Sequence, residues 1–239
     1  RTMAGAPVLV AGAKTSGIES MRKEIAALLP VDESWSKHHA QVFQLTRPEH
    51  WVSSAPEISA CIEVDGFSFE TAPGMFSHKA VDAGSALLAK HLKALKGHVA
   101  DFGAGWGYLS WAALRNAHGI EHLCLYEADH ASLRAAQGNL NRLNSTAQVS
   151  FHWSDLAQEP PNEKFDAIIM NPPFHAGREA QPDLGQRMIN LAAGSIKPNG
   201  KLLMVANKHL PYEDTLQRAF RRFERIDEDR LYKVLRAVR

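Results

Sequence analysis

From residue 98 onward the chain alternates two kinds of hydrophobic patterning. Short apolar runs at 98–102, 122–126, 149–153, 166–170, 201–206 and 232–238 predict strands. Between them, residues 106–116, 131–143, 183–196 and 212–220 carry apolar positions at helical spacing, and Pro198-Asn199-Gly200 stops the third of these helices. Strand and helix in alternation predict a mostly parallel sheet covered on both faces, with an antiparallel C-terminal edge. Ahead of residue 98 the pattern changes. Ile58, Ala60, Ile62 and Val64 alternate with polar neighbours, and Phe67 and Phe69 resume the alternation after Asp65-Gly66. That predicts a hairpin over 58–71, because Asp-Gly readily takes the positive φ a tight turn needs. Residues 81–95 predict a helix. Residues 7–12 read as a buried strand, 16–29 as a helix ended by Pro30, and 41–45 as a further short strand. The opening strand and helix look like the tail of an α/β unit whose earlier strands are absent.

Composition narrows the class. The 239 residues allow one large domain, or one domain and a fragment of another, and 45% hydrophobic residues suffice for a proper core. No apolar run approaches the roughly 18 residues of a membrane span, and no charged-then-apolar leader marks secretion. Cys61 and Cys124 are too few and too far apart for a disulfide framework or a zinc site, so a reducing, cytoplasmic setting and no metal are expected. A net charge of +1 means a nucleic-acid partner needs a local basic patch. Arg218, Arg221, Arg222 and Arg225 supply one if they share a helix face; the alternative is a solvated face balanced by Glu224 and Asp227-Glu228-Asp229. The chain opens on Arg-Thr-Met, which leaves open that a longer protein has lost its front.

The first chemical motif is Asp101-Phe-Gly-Ala-Gly-Trp-Gly107, between a predicted strand and a predicted helix. Gly103 and Gly105 allow a tight turn and close approach to a ligand, Ala104 keeps that turn small, and Gly107 delivers the chain into the helix. Alone, this spacing fits a dinucleotide site as well as any other adenosine cofactor. Glu127 ends the next predicted strand, twenty residues beyond Gly107, where a carboxylate can accept both hydroxyls of a ribose. Asp129 reads as the N-cap of the following helix. Asp155, after the third strand, reads either as an acceptor for an adenine amine or as a turn residue. Trp106, inside the turn, is placed to touch a ligand; Trp35, Trp51, Trp111 and Trp153 are expected in the core.

The second motif is Asn171-Pro172-Pro173-Phe174, directly after the apolar run at 166–170. An exocyclic amine on a base is a poor nucleophile, because its lone pair is delocalised into the ring. A catalyst has to hold both N–H bonds so that the lone pair emerges toward an electrophile. The Asn171 side-chain oxygen and the Pro172 carbonyl can be those two acceptors, fixed in place because successive prolines restrict the backbone. Phe174 can stack on a flat substrate. His175 lines the substrate entrance or is an ordinary loop histidine. Phe76, Ser77, His78 and Lys79 can form a loop over a cofactor. With the glycine turn upstream, the motif points to methyl transfer from S-adenosylmethionine to a planar, conjugated nitrogen.

Pro73-Gly-Met-Phe-Ser77, Asp82-x-Gly84, the glycine turn, Asn171-Pro-Pro-Phe-His175 and Val205-Ala-Asn207 before Leu210-Pro211-Tyr212 together resemble the bacterial small-subunit ribosomal RNA guanine-N2 methyltransferases. The segment Gly12-Ala-Lys-Thr-Ser-Gly17 resembles the last strand-to-helix turn of that family's N-terminal domain. The resemblance implies a Rossmann-like class I methyltransferase fold with a mostly parallel seven-stranded sheet, helices on both faces and an antiparallel C-terminal edge. It implies residues 1–56 as the remnant of a methyltransferase-like N-terminal domain with a linker, and 57–239 as the catalytic domain. It further implies S-adenosyl-L-methionine as cofactor, S-adenosylhomocysteine as second product, and 16S rRNA or the small ribosomal subunit as partner of a monomer without membrane attachment. Asn171, Pro172 and Phe174 map onto catalysis, and Phe174 and His175 onto substrate binding. Asp101, Gly103, Ala104, Gly105, Gly107, Glu127, Asp155 and Asn171 map onto the cofactor site. Trp106 stands where small residues are common, and Asp155 where relatives carry Asn.

Other readings differ in what they explain. A methyltransferase for large-subunit RNA, adenine N6 or protein glutamine uses the same Asn-Pro-Pro-Phe device. A binding module without turnover leaves Asn171 and Phe174 without purpose. A nicotinamide dehydrogenase leaves Asn-Pro-Pro-Phe unexplained.

Overall fold

The structure is a computed structural model describing residues 3–50, 60–173, 175–176, 179–180 and 182–239; of the side chains at 174–182 nothing is described. The chain divides into two compact units between Glu57 and Ile58.

In the first unit, β1 (Pro7–Ala13), α1 (Ile18–Ala26), β2 (Glu33–Lys37) and β3 (Ala40–Thr46) follow in order. The sheet order is β1-β3-β2 and both pairings are antiparallel. Its small core is Ile18, Phe43 and Leu45. Residues 7–12 form a strand but not a buried one. β1 alternates, and Leu9 is 64% exposed, because the apolar contacts of this sheet gather on one face only. β2 was not legible: its five residues, Glu-Ser-Trp-Ser-Lys, are all exposed and carry no apolar alternation.

The second unit opens with the hairpin β4 (Ala60–Val64) and β5 (Phe67–Thr71). Asp65 and Gly66 both take positive φ, +48° and +76°, as the Asp-Gly turn requires. There follow α2 (Ala83–Ala89), β6 (Lys96–Phe102), α3 (Tyr108–Asn116), β7 (Gly119–Glu127), α4 (His130–Asn141), β8 (Gln148–Trp153) and β9 (Phe165–Met170). A two-residue pair, β10 (His175–Ala176) with β11 (Glu179–Ala180), precedes α5 (Pro182–Ser195) and β12 (Ile196–Asn207). The chain continues through α6 (Glu213–Ala219), β13 (Arg222–Glu228) and β14 (Tyr232–Val238).

Seven strands form one sheet in the order β13-β14-β12-β9-β6-β7-β8. The pairs among β12, β9, β6, β7 and β8 are parallel, and β14 is antiparallel to both β12 and β13. Central strands feed two cores alternately. In β9, Ala167 and Ile169 pack with α2, α3 and α4, whereas Ile168 and Met170 pack with α5 and α6. That double burial is why these strands read as continuous apolar runs. Phe69 of the hairpin seats in the first core edge-on to Trp106 and Trp111, at 5.0 and 5.1 Å between ring centroids. Pairs of this kind add about 1 kcal/mol each beyond area burial.

One expectation fails at the edge. Arg221, Arg222 and Arg225 do not continue the helix of Arg218: α6 ends at Ala219 and Arg222–Glu228 is a strand. Phe220, Phe223 and Ile226 imitate a helical repeat by their spacing. In the strand, residues three apart face opposite ways, so Phe223 packs on the α5–α6 core and Ile226 on the other. Arg225 is ion-paired with Glu213 and Glu228. The four arginines are therefore no helical basic stripe.

Lys233 of β14 is 2% exposed and donates to Leu210 O and to both Glu213 oxygens, at 2.7–2.8 Å. It ties β14 to the start of α6. Truncating one partner of a buried ion pair costs about 3 kcal/mol or more. Lys233→Ala is expected to lower the unfolding free energy in urea by that amount; a loss near zero would show that packing alone holds this edge.

Candidate active site

The sheet places two motifs side by side that lie far apart in the chain. Phe102, the last residue of β6, pairs with Met170, the last residue of β9. The glycine turn and Asn171 thus leave neighbouring strands at the same level. This is also where the strand order reverses, with β7 and β8 on one side of β6 and β9 and β12 on the other. A crevice at the carboxyl ends of the strands is the expected ligand site of such a sheet.

The turn needs its glycines. Gly103 and Gly105 take φ of +77° and +56°, which side-chain-bearing residues rarely adopt, and the amides of Gly103 and Ala104 donate to Tyr126 O at the end of β7. Gly107 takes φ +93°, and a Cβ there would stand 3.1 Å from that of Ala136 in α4. Glu127 accepts Gly105 N–H on one carboxylate oxygen and Asp129 N–H on the other, both at 2.8 Å. Asp129 is the N-cap of α4, as its position in the sequence suggested.

A cavity of about 450 Å³ lies against these groups. Gly103, Gly105, Glu127 and Asp155 border it on one side and Asn171, Pro172 and Pro173 on another, with Leu156, Leu184 and Met188 as apolar wall. A Cβ at Gly103 would point across this space to the Met188 methyl, 3.9 Å away. Volume and lining, apolar with a few converging polar groups, suit a small-molecule site. A carboxylate, a bare-backbone turn and an apolar slot together fit an adenosine cofactor. Gly74 and Phe76 complete the rim, so the loop before α2 does border this space.

Asn171 is held by residues that the motif does not contain. Its Nδ2 donates to Asp82 Oδ2 at 3.0 Å and to Ser85 Oγ at 2.9 Å. Asp82 also caps α2 by accepting Ser85 N–H at 2.7 Å. A carboxylate only accepts, so the amide nitrogen must face Asp82 and the Asn171 oxygen is left to accept from elsewhere. Among the described residues nothing donates to that oxygen. Gly84 lets this corner close: a Cβ there would meet the Tyr232 ring at 2.8 Å. Nothing local in the sequence shows that Asp82, the cap of α2, also reaches Asn171, 89 residues away.

Several predicted site residues stand elsewhere. Asp101 lines no part of the cavity; it is fully buried beneath the turn, with one oxygen accepting from Ser110 Oγ at 2.7 Å and the other unpartnered. Burial pushes its carboxyl up to about 7, opposed by the Ser110 hydrogen bond. Ala104 borders a narrow adjoining cleft with Asp82, Ser85 and Asn171, and Gly107 serves packing rather than the ligand space. Asp155 is a turn residue that borders the cavity: its oxygens accept from Ala157 N–H and Gln158 Nε2 within its own turn. Trp106 is corrected: it is 4% exposed, edge-on to Phe69, with its indole N–H on Phe76 O, because a large ring packs more favourably under the hairpin than in a solvent-filled crevice. Trp111 is in the core, but Trp35 and Trp153 are exposed. Phe174 and the side chain of His175 lie outside the described residues, as does Trp51.

A family model described as the methyltransferase small domain matches residues 66–236. The chain belongs to the methyltransferase small domain family. It is 32% identical over 237 residues to the ribosomal RNA small subunit methyltransferase C of Escherichia coli K12, covering 98% of this chain and 67% of that protein. The Shewanella loihica protein of the same name is 30% identical over 243 residues, covering 96% and 68%. A 16S rRNA N2 methyltransferase of T. thermophilus, solved with AdoMet and guanosine, superposes with a TM-score of 0.81 at 28% identity, over 99% of this chain and 65% of that one. The chain therefore spans about two thirds of the length of the relatives it matches. The class I methyltransferase fold, with its antiparallel edge, is the fold this sheet has. Among the described residues no helix is long and apolar enough to cross a membrane.

Asp101 gives this family member a testable pH signature. Its folded pKa is raised from 3.8, so the stability linked to its proton is fully present below 3.8 and lost as pH rises through about 7. Asp101→Asn keeps an acceptor for Ser110 and removes the titration. The gain in unfolding free energy of Asp101→Asn over the parent is expected to be larger at pH 8 than at pH 5, by denaturant titration at both values. An equal difference at both pH values would mean that Asp101 is already ionised in the fold.

Proposed function

We propose that this chain transfers the methyl group of S-adenosylmethionine to the exocyclic N2 amine of a guanine in small-subunit ribosomal RNA. The observation that carries this reading is Asn171, whose amide hydrogens are both taken by Asp82 and Ser85 while its oxygen is left to accept at the edge of the cavity. The names of the E. coli and Shewanella relatives, and the AdoMet and guanosine in the T. thermophilus structure, support the same assignment.

Residues 57–239 form the catalytic domain in this reading, since every residue of the cavity lies there. Gly103 and Gly105 offer bare backbone to the cofactor, Glu127 accepts its ribose hydroxyls, and Asp155 receives the adenine amine beside the apolar wall. Both oxygens of Glu127 already hold backbone amides and keep a lone pair each for the ribose. When bound, S-adenosylmethionine supplies a methyl group made electrophilic by its sulfonium sulfur, leaving S-adenosylhomocysteine.

Asn171 Oδ1 and the Pro172 carbonyl accept the two N–H bonds of the target amine, which turns its lone pair out of the purine plane toward the methyl group. The acceptors are fixed beforehand, so little reorganisation accompanies the reaction. The nitrogen becomes acidic once it has received the methyl group and then releases its proton, so no side chain with a shifted pKa is needed as base. Phe174 stacks on the guanine and His175 stands at the substrate entrance. Action as a monomer belongs to the same reading, and an rRNA target supports a cytoplasmic setting.

The test is methyl transfer from labelled S-adenosylmethionine to unmodified 16S rRNA and to small subunits, followed by nucleoside analysis. N2-methylguanosine is expected. N6-methyladenosine, or transfer only to large-subunit RNA or protein, would overturn the substrate while leaving the site chemistry. Asn171→Ala is expected to lower turnover at least about a hundredfold with cofactor affinity nearly unchanged. Glu127→Ala is expected to weaken cofactor binding by about 1–3 kcal/mol, the worth of a lost charged acceptor. Calorimetry reads both affinities, and parallel losses in the two variants would show that Asn171 belongs to the cofactor site instead.

A further inference from the structure

Behind Tyr126, on the sheet face shared with α5 and α6, a second set of functional groups converges. His98 lies on β6, His122 and Cys124 on β7, His152 on β8, and Glu163 just before β9. Register brings them together: His98 pairs with His122, and Tyr126 with His152. His98 Nε2 is 3.1 Å from Cys124 Sγ and 3.4 Å from Glu163 Oε2. His122 Nε2 is 3.5 Å from the same sulfur and 3.0 Å from Ser150 Oγ, which in turn is 3.0 Å from His152 Nε2. The rings of His98 and His122 stack at 4.7 Å, and Tyr126 stacks on His152 at 4.5 Å. His98, His122 and Cys124 thus bring two ring nitrogens and a sulfur within 4.8 Å of one another, and Cys124, His152 and Glu163 form a second such group sharing the same sulfur.

Cys124 Sγ stands against two imidazole nitrogens, and a metal ion in place of its proton can be held by both nitrogens and the sulfur together. Zinc bonds of about 2.0–2.1 Å to nitrogen and 2.3 Å to sulfur put neighbouring ligand atoms of a tetrahedron about 3.3–3.6 Å apart. The separations of 3.1, 3.4 and 3.5 Å found here are close to such edges.

We propose that His98, His122 and Cys124 form a binding site for a borderline-soft divalent metal ion of the zinc class, with Glu163, 3.4 Å from His98 Nε2, turning in as fourth ligand. Neutral imidazole and thiolate are the donors such ions take up most readily. Access is open from the loop side, where Glu163 is partly exposed while Cys124 is fully buried.

The site's consequence is structural. Glu163 accepts from Tyr126 OH at 2.8 Å, and Tyr126 borders the cofactor cavity. Segment 154–163 supplies Asp155 and Leu156 to the cavity wall. An ion held by Glu163 and the β6–β7 histidines ties the end of that segment to the sheet. No step of methyl transfer passes through it.

The test uses the chain freed of metal by a chelator and titrated with Co²⁺, followed by displacement with Zn²⁺. One equivalent of Co²⁺ is expected, with a thiolate-to-metal charge-transfer absorption and a higher unfolding temperature. Cys124→Ser is expected to lose that absorption and Cys61→Ser to keep it. Glu163→Gln, on a partly exposed loop, is expected to weaken Co²⁺ binding at least tenfold with an unchanged circular dichroism spectrum. Absence of stoichiometric uptake by the folded parent overturns the site, and so does an absorption that survives in Cys124→Ser or Co²⁺ affinity unchanged in Glu163→Gln.

Discussion

Parallel pairing of β6 with β9 is the constraint on which the site depends. With Phe102 opposite Met170, the glycine turn and the Asn-Pro-Pro segment leave adjacent strands at one level, although 70 residues separate Asp101 from Asn171. A slip of one residue would exchange the faces of β9, placing Ile168 and Met170 where Ala167 and Ile169 now pack. Burial on both faces makes such a slip expensive. The two hydrophobic cores therefore fix the distance between the glycine turn and Asn171.

Within that frame, polarity is set by fixed hydrogen-bond partners rather than by shifted pKa values. Asp82 and Ser85 decide which end of the Asn171 amide is available, and Asp82 does so while capping α2. One carboxylate thus couples the start of a helix to the orientation of the acceptor. Glu127 works alike on the other side, clamping the glycine turn through Gly105 and the entry to α4 through Asp129. Asp101 contributes from below: it is buried, half-satisfied and titrates near neutrality, so it bears on the stability of the turn and not on the ligand space.

Much of this architecture was legible in the sequence because its signals are local. Apolar runs marked the parallel strands, Asp65-Gly66 marked the hairpin turn, and the glycines at 103, 105 and 107 marked a turn with positive φ. The misreadings share one cause, which is that spacing is ambiguous without a partner. Arg218, Arg221, Arg222 and Arg225 fit one helix face until pairing with β14 makes Arg222–Glu228 a strand. Trp106 sits inside a ligand-binding motif, yet its ring goes to Phe69 of a hairpin more than thirty residues earlier. β1 is apolar in composition and still open on one side.

What the sequence determined by itself was the order of elements, the class of fold and the two motifs that name the chemistry, since each follows from contiguous residues and the dihedral angles they permit. Tertiary structure alone decided which groups face one another. The hold of Asp82 on Asn171, the withdrawal of Asp101 and Trp106 from the ligand space, and the meeting of His98, His122, Cys124 and Glu163 all arise from strand register and helix packing. Those contacts join residues tens of positions apart, and no local periodicity encodes them.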